Sequence, residues 1–155
     1  MDQTSNVLPD VQNLMDGRNI PIDRVGIRDL TVPLQVQSVK GPQPTVAKVC
    51  MCVSLPADKR GTHMSRFVSL MADNPEPLSS DMMRATLEKM LELLEAEEGY
   101  IEISCPFFVT KTSPMSKLKS LMNYDVRFIA ERTAGRTRVV QEISAPVTSL
   151  CPCSR

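Results

Sequence analysis

The sequence predicts an α+β domain built on an antiparallel sheet. Three observations carry this. Several stretches alternate apolar and polar residues with a period of two, the mark of half-buried strands. One stretch alone has an unambiguous helical stripe. The strands come in runs around that helix rather than alternating with helices, which favours an antiparallel sheet over a parallel one.

Residues 1–19 (MDQTSNVLPDVQNLMDGRN) read as a flexible polar arm. Ile20–Pro33 (IPIDRVGIRDLTVP) is bounded by prolines and reads as an extended lead-in. Thr45–Leu55 is the first clear strand. Ala47, Val49, Met51, Val53 and Leu55 fall on one face, against Lys48, Cys50, Cys52 and Ser54 on the other. After the polar loop PADKRG, His63–Ala72 is expected as a second strand returning antiparallel to the first.

Ser80–Glu98 is the expected helix. Met83, Leu87, Met90, Leu91 and Leu94 form its apolar stripe, and Glu88, Glu92 and Glu95 its solvated side. Ser79 or Ser80 supplies an N-cap, and Gly99 is the expected stop. Tyr100–Val109, Leu121–Arg132 and Thr137–Val147 are expected as three further strands, with TAGR (133–136) turning between the last two. One helix cannot cover both faces of five strands. The bare face is therefore expected to meet a partner, which predicts a homo-oligomer or a further domain.

Composition narrows the function. The chain has 155 residues and equal numbers of acidic and basic side chains, 18 each, so its formal net charge is zero. Such a chain has no bulk basic footprint, and neither a nucleic acid nor a membrane surface is expected as partner. No apolar run reaches the roughly 18 residues of a membrane span. The N-terminus has neither the basic start nor the apolar stretch of an export signal. The expected location is cytoplasmic, where the five cysteines serve as thiols, metal ligands or catalytic groups rather than as disulfides.

Two C-x-C pairs draw attention. Cys151 and Cys153 flank Pro152 near the end of the chain. They fit a thiolate ligand or nucleophile, and equally the packing of small apolar side chains. Cys50 and Cys52 share one face of a strand, where burial against another layer is the simpler reading. Together the four could make a zinc site only if both pairs converge. Cys105 falls on the apolar side of its strand. His63 is the single histidine, so no site needing two can be built from this chain. No phosphate-loop or dinucleotide-binding glycine pattern is present.

Five segments taken together resemble one family: DVQ (10–12), RNIPIDRVGIRDL (18–30), GTHMSRF (61–67), KTSPMSKLKSLMNYDV (111–126) and PVTSLCPCSR (146–155). They resemble the N-terminal portion of GTP cyclohydrolase type IB, the metal-dependent alternative to the usual enzyme. The resemblance implies hydrolysis of GTP to 7,8-dihydroneopterin triphosphate and formate, the first step of folate-type pterin synthesis. It implies a tunnelling fold (T-fold) with two tandem modules per subunit and a homotetramer. It also implies a divalent metal (Zn, Mn or Fe) that activates water, with Cys151 as metal ligand and catalytic thiol.

Arg66 and His63 are the expected substrate contacts, since a guanidinium matches phosphate geometry. On this reading 20–133 is the first module and 134–155 opens a second, faintly echoing SLPADKRGTHMSR (54–66) in SLCPCSR (149–155). The remaining metal donors are expected beyond residue 155, and the chain alone is expected to be inactive. The alternative is a non-catalytic T-fold module for assembly or for binding a purine or pterin.

Overall fold

The computed structural model describes residue 15 and residues 17–72 and 76–147. Their order is β1 (Ile22–Val36), β2 (Gln43–Leu55), α1 (Met64–Ala72), α2 (Ser80–Leu93), β3 (Gly99–Thr112), β4 (Lys119–Thr133) and β5 (Arg136–Ser144). The five strands form one antiparallel sheet in the order β1-β2-β3-β4-β5. The α+β class and the antiparallel sheet stand as expected.

The inner face of the sheet follows the period-two pattern. Ala47, Val49, Met51 and Val53 of β2, Ile101, Ile103 and Cys105 of β3, and Val126, Phe128 and Ala130 of β4 are all buried in one core. Both helices close that core. α2 brings Met83, Leu87, Met90 and Leu91, and α1 brings Phe67, Leu70 and Met71. Methionines and aliphatic chains fill it, as expected of a chain with so few aromatic residues.

Four expectations are corrected. The segment 63–72 is not a strand: Met64–Ala72 is helical. Its three buried residues, Phe67, Leu70 and Met71, lie at i, i+3 and i+4, one face of a helix, and no two-residue alternation competes with them. The second neighbour of β2 is therefore β1. The supposed lead-in is the 15-residue strand β1, which runs past Pro33 because an edge strand can spare that amide. Two helices rather than one lie on the sheet.

The last correction concerns the end of α2. Ser79 caps its start by accepting a hydrogen bond from the Met82 amide at 3.2 Å. The helix ends at Leu93, short of 98, because Glu95 turns left-handed at φ 51° and the Ala96 amide reaches back to the Leu91 carbonyl at 3.0 Å. Gly99 is not the stop. It opens β3 directly beneath Leu91 and Met90, where there is no room for a Cβ.

The outer face carries no helix, and it is mostly polar, with Val46, Ile129 and Val140 among its apolar members. Lys48, Tyr100, Glu102, Ser104, Arg127 and Glu131 alternate with the buried set. Arg127 donates to Glu142 through Nε at 2.8 Å and also pairs through its terminal nitrogen. A face of this kind does not require an apolar partner to stay in water. The expected 133–136 turn is a two-residue hairpin, with Ala134 and Gly135 at φ 50° and 73° as such a turn demands.

Candidate functional site

The outer face holds an open groove of about 580 Å³ over β1, β2 and β3. Irregular pairing of β1 helps to shape it. The register shifts between Ile22 and Val25 and again between Ile27 and Leu30, with Asp29 at φ 57°. Between the shifts Gly26 lies flat on β2. A Cβ there would stand 1.9 Å from the Met51 carbonyl oxygen.

The groove collects Cys50 and Cys52 from β2, Tyr100 and Glu102 from β3, and Arg24 and Arg28 from β1. The two thiols are half-buried and 4.0 Å apart, because i and i+2 of a strand share a face. Cross-strand pairing sets Cys50 opposite Glu102 and Cys52 opposite Tyr100. The Tyr100 hydroxyl donates to Glu102 at 2.5 Å, and the Arg24 guanidinium stacks over the Tyr100 ring at 4.3 Å.

The surroundings of Cys50 and Tyr100 keep both protonated. Burial, then the neighbouring Cys52, pushes the Cys50 thiol up to about 11. Burial and the bond to Glu102 push Tyr100 up to about 12. At neutral pH Cys50 is therefore a thiol, a hydrogen-bonding group and not a ready nucleophile. Cys105 is buried in the core as expected, and burial raises its thiol as well.

His63 and Arg66 stand elsewhere, at the β2–α1 junction, in a cleft of about 20 Å³ shared with Lys59 and Glu95. The His63 carbonyl accepts from the Arg66 amide at 3.1 Å. The Arg66 guanidinium donates to the Leu93 carbonyl at 2.7 Å, so it caps the end of α2. Cys151 and Cys153 lie outside the described residues. Among the described residues no three His, Cys, Asp or Glu side chains converge as a metal site.

The groove was only half legible from residue order. The alternation of Tyr100 and Glu102 with Ile101 and Ile103 assigns them to the outer face. Arg24 and Arg28 join them only because β1 is a full strand, which its prolines conceal.

Comparison with known proteins covers nearly the whole chain. Residues 8–155 match the family described as type I GTP cyclohydrolase folE2. The protein named GTP cyclohydrolase FolE2 from Ralstonia nicotianae is 50% identical over 149 residues, which is 96% of this chain and 56% of the relative. Its namesakes from Burkholderia ambifaria and Paraburkholderia phymatum are 50% and 49% identical over 150 residues, with the same two shares covered. The chain thus spans a little over half the length of these curated relatives. On a match that runs from residue 8 to residue 155, the chain belongs to the type I GTP cyclohydrolase folE2 family.

Proposed function

We propose that this chain is part of a GTP cyclohydrolase that hydrolyses GTP to 7,8-dihydroneopterin triphosphate and formate, the entry reaction of folate-type pterin synthesis. The observation that carries the reading is the family match over residues 8–155, together with relatives of that name at about half identity. The cytoplasm is the proposed location. Among the described residues no helix is long and apolar enough to cross a membrane.

The described donors do not fit a catalytic metal. Such a centre takes about three protein ligands, and none of that size forms among them. The Cys50–Cys52 pair offers two sulfurs, of which Cys50 keeps its proton well past neutral pH. Dependence on Zn, Mn or Fe, and with it the type IB designation, therefore rests on the resemblance. In this reading Cys151 is the metal ligand and catalytic thiol, and His63 and Arg66 contact the substrate. The tunnelling fold, the homotetramer and the division into modules at 20–133 and 134–155 belong to the same proposal. β5, hydrogen-bonded to β4, is then the strand from which a second module continues the sheet.

The test pairs the intact mass of the native protein with a fluorescence assay for dihydroneopterin triphosphate, with Mn²⁺, Zn²⁺ or Fe²⁺ added. Product from the native protein and its loss in Cys151→Ala are the expected results. Unchanged turnover in that variant removes Cys151 from the chemistry. A native mass of 17.2 kDa without product under any metal replaces the enzyme by the purine- or pterin-binding module.

A further inference from the structure

The proposed reaction makes no use of Cys50 and Cys52. Both thiols line the groove, half-buried, with their sulfurs 4.0 Å apart. Gly26 stands opposite Cys52 on β1 and brings no side chain over it. The irregular stretch between Ile27 and Leu30 lies opposite Cys50. On the other side Tyr100 and Glu102 of β3 stand opposite Cys52 and Cys50. The pair is thus held on a strand bonded along both edges, and it opens toward the groove.

The geometry limits what two such thiols can do. Strand positions i and i+2 hold their Cα atoms roughly 6.6 Å apart, at the outer edge of what a disulfide spans. The sulfurs stand about twice an S–S bond length from each other. A zinc ion is poorly served as well. It takes four ligands, and among the described residues no third His, Cys, Asp or Glu joins the two sulfurs. Glu102 is engaged elsewhere: it accepts from the Tyr100 hydroxyl and pairs with Arg127 at 3.9 Å.

Two sulfurs alone do satisfy a univalent soft ion. Copper(I) favours thiolates and is content with two of them. Metal–sulfur bonds of about 2.3 Å, drawn from sulfurs 4.0 Å apart, meet at roughly 120°. Neither sulfur has to move, and the third side of the ion stays open to the groove. Charge agrees with this choice. A univalent ion on two thiolates leaves one net negative charge. Arg24, Arg28 and Lys48 line the groove against Asp29 and Glu102, so its surroundings are net positive. A divalent ion on the same pair would be neutral and gain nothing from those cations.

We propose that Cys50 and Cys52 form a binding site for one univalent soft metal ion of the copper(I) class, in the groove of the outer face. As each sulfur–metal bond forms, its thiol proton passes to solvent, two protons per ion, and no group changes oxidation state. The site uses none of the residues assigned to the GTP reaction, so it stands or falls apart from that reading.

Anaerobic titration of the reduced 155-residue chain with copper(I), against a chromophoric copper(I) chelator, tests it. Native mass spectrometry gives the stoichiometry. The background is Cys151→Ser with Cys153→Ser, which removes the other C-x-C pair. One copper(I) per chain is expected there, and zinc at the same concentration should not be held. Adding Cys50→Ser or Cys52→Ser should weaken copper(I) binding by more than about a hundredfold, beyond what losing a mere supporting partner costs. Circular dichroism melts confirm folding. Alkylation mapping of the copper-loaded background needs no change at the pair, and it should find Cys50 and Cys52 protected together. It carries the test if the serine variants fail to fold. No copper(I) bound in the background overturns the proposal. So does affinity unchanged without Cys50 or Cys52, zinc held as tightly as copper(I), one ion shared between two chains, or Cys50 and Cys52 alkylated as fast with copper(I) as without.

Discussion

Gly26→Ala is the sharpest probe of how β1 lies on β2. The added methyl would meet three backbone atoms of β2: the Met51 carbonyl oxygen at 1.9 Å, Cys52 Cα at 2.7 Å and the Met51 carbonyl carbon at 2.8 Å. Side-chain carbons essentially never stand closer than 3.0 Å to such atoms. No rotamer relieves the clash, because every offending atom is main chain. β1 must lift by roughly 1 Å. That opens the pairing of Val25 with Val53, Gly26 with Cys52 and Ile27 with Met51.

Two or three ladder bonds at ~1 kcal/mol each, plus partial exposure of Val25 and Ile27, come to ~4 kcal/mol. The stiffer unfolded chain returns under ~1 kcal/mol. A net loss of about 3 kcal/mol is expected, a fall of roughly 6–12 °C in Tm. Urea unfolding followed by circular dichroism measures it. Gly17→Ala is the control, since nothing lies within 4 Å of that position, and it should change stability by less than ~0.5 kcal/mol. Gly26→Ala within that same margin would refute the close approach of β1, and with it the shape of the groove.

Further outcomes follow from the same geometry. Phe67→Ala removes a fully buried ring between α1 and the sheet and should cost ~3–5 kcal/mol in the same unfolding assay; a solvent-facing Phe67, as on a strand edge, would cost far less. The Cys50 thiol is raised in the folded state, from an ordinary 9.0 to about 11. The stability this gives is therefore whole below pH 9 and is lost as pH climbs from 9 through 11. Cys52→Ala should bring the Cys50 thiol down, because Cys52 supplies two of the causes that raise it, read as faster thiol labelling at pH 9. Equal labelling rates in both proteins would remove that coupling.

The residues spoke clearly wherever one period ruled. β2, β3 and β4 have strict alternation and a single buried face, so their positions and burial follow from the order of residues alone. The α2 stripe is equally plain, and all five of its assigned apolar residues are buried. The segment 63–72 misleads because its nine helical residues make little more than two turns, and only Phe67, Leu70 and Met71 mark the period. β1 is hidden by Pro21 and Pro33, and by bulges that break its alternation. Its edge position, which no local pattern encodes, is what makes Pro33 tolerable. The groove inherits that blindness. Cys50 and Cys52 are assigned to one face by spacing, yet the groups that surround them come from strands whose register only the folded sheet fixes.

The strand order has a consequence for how the chain finds its fold. Three of the four connections between adjacent strands are short, but β2 and β3 are separated by residues 56–98, the stretch that contains both helices. The entropy of closing loops is thus concentrated in one event, the joining of the β1–β2 hairpin to the β3–β4–β5 meander. That event also seats α1 and α2, since the core they close draws on both halves. The single bridge from Leu78 to the end of β1, with bonds of 2.7 and 3.0 Å to Gln35 and Gln37, fastens the far side of the same closure. Changes at the β2–β3 seam should therefore register in the rate of folding, whereas changes along β5 should register mainly in the rate of unfolding.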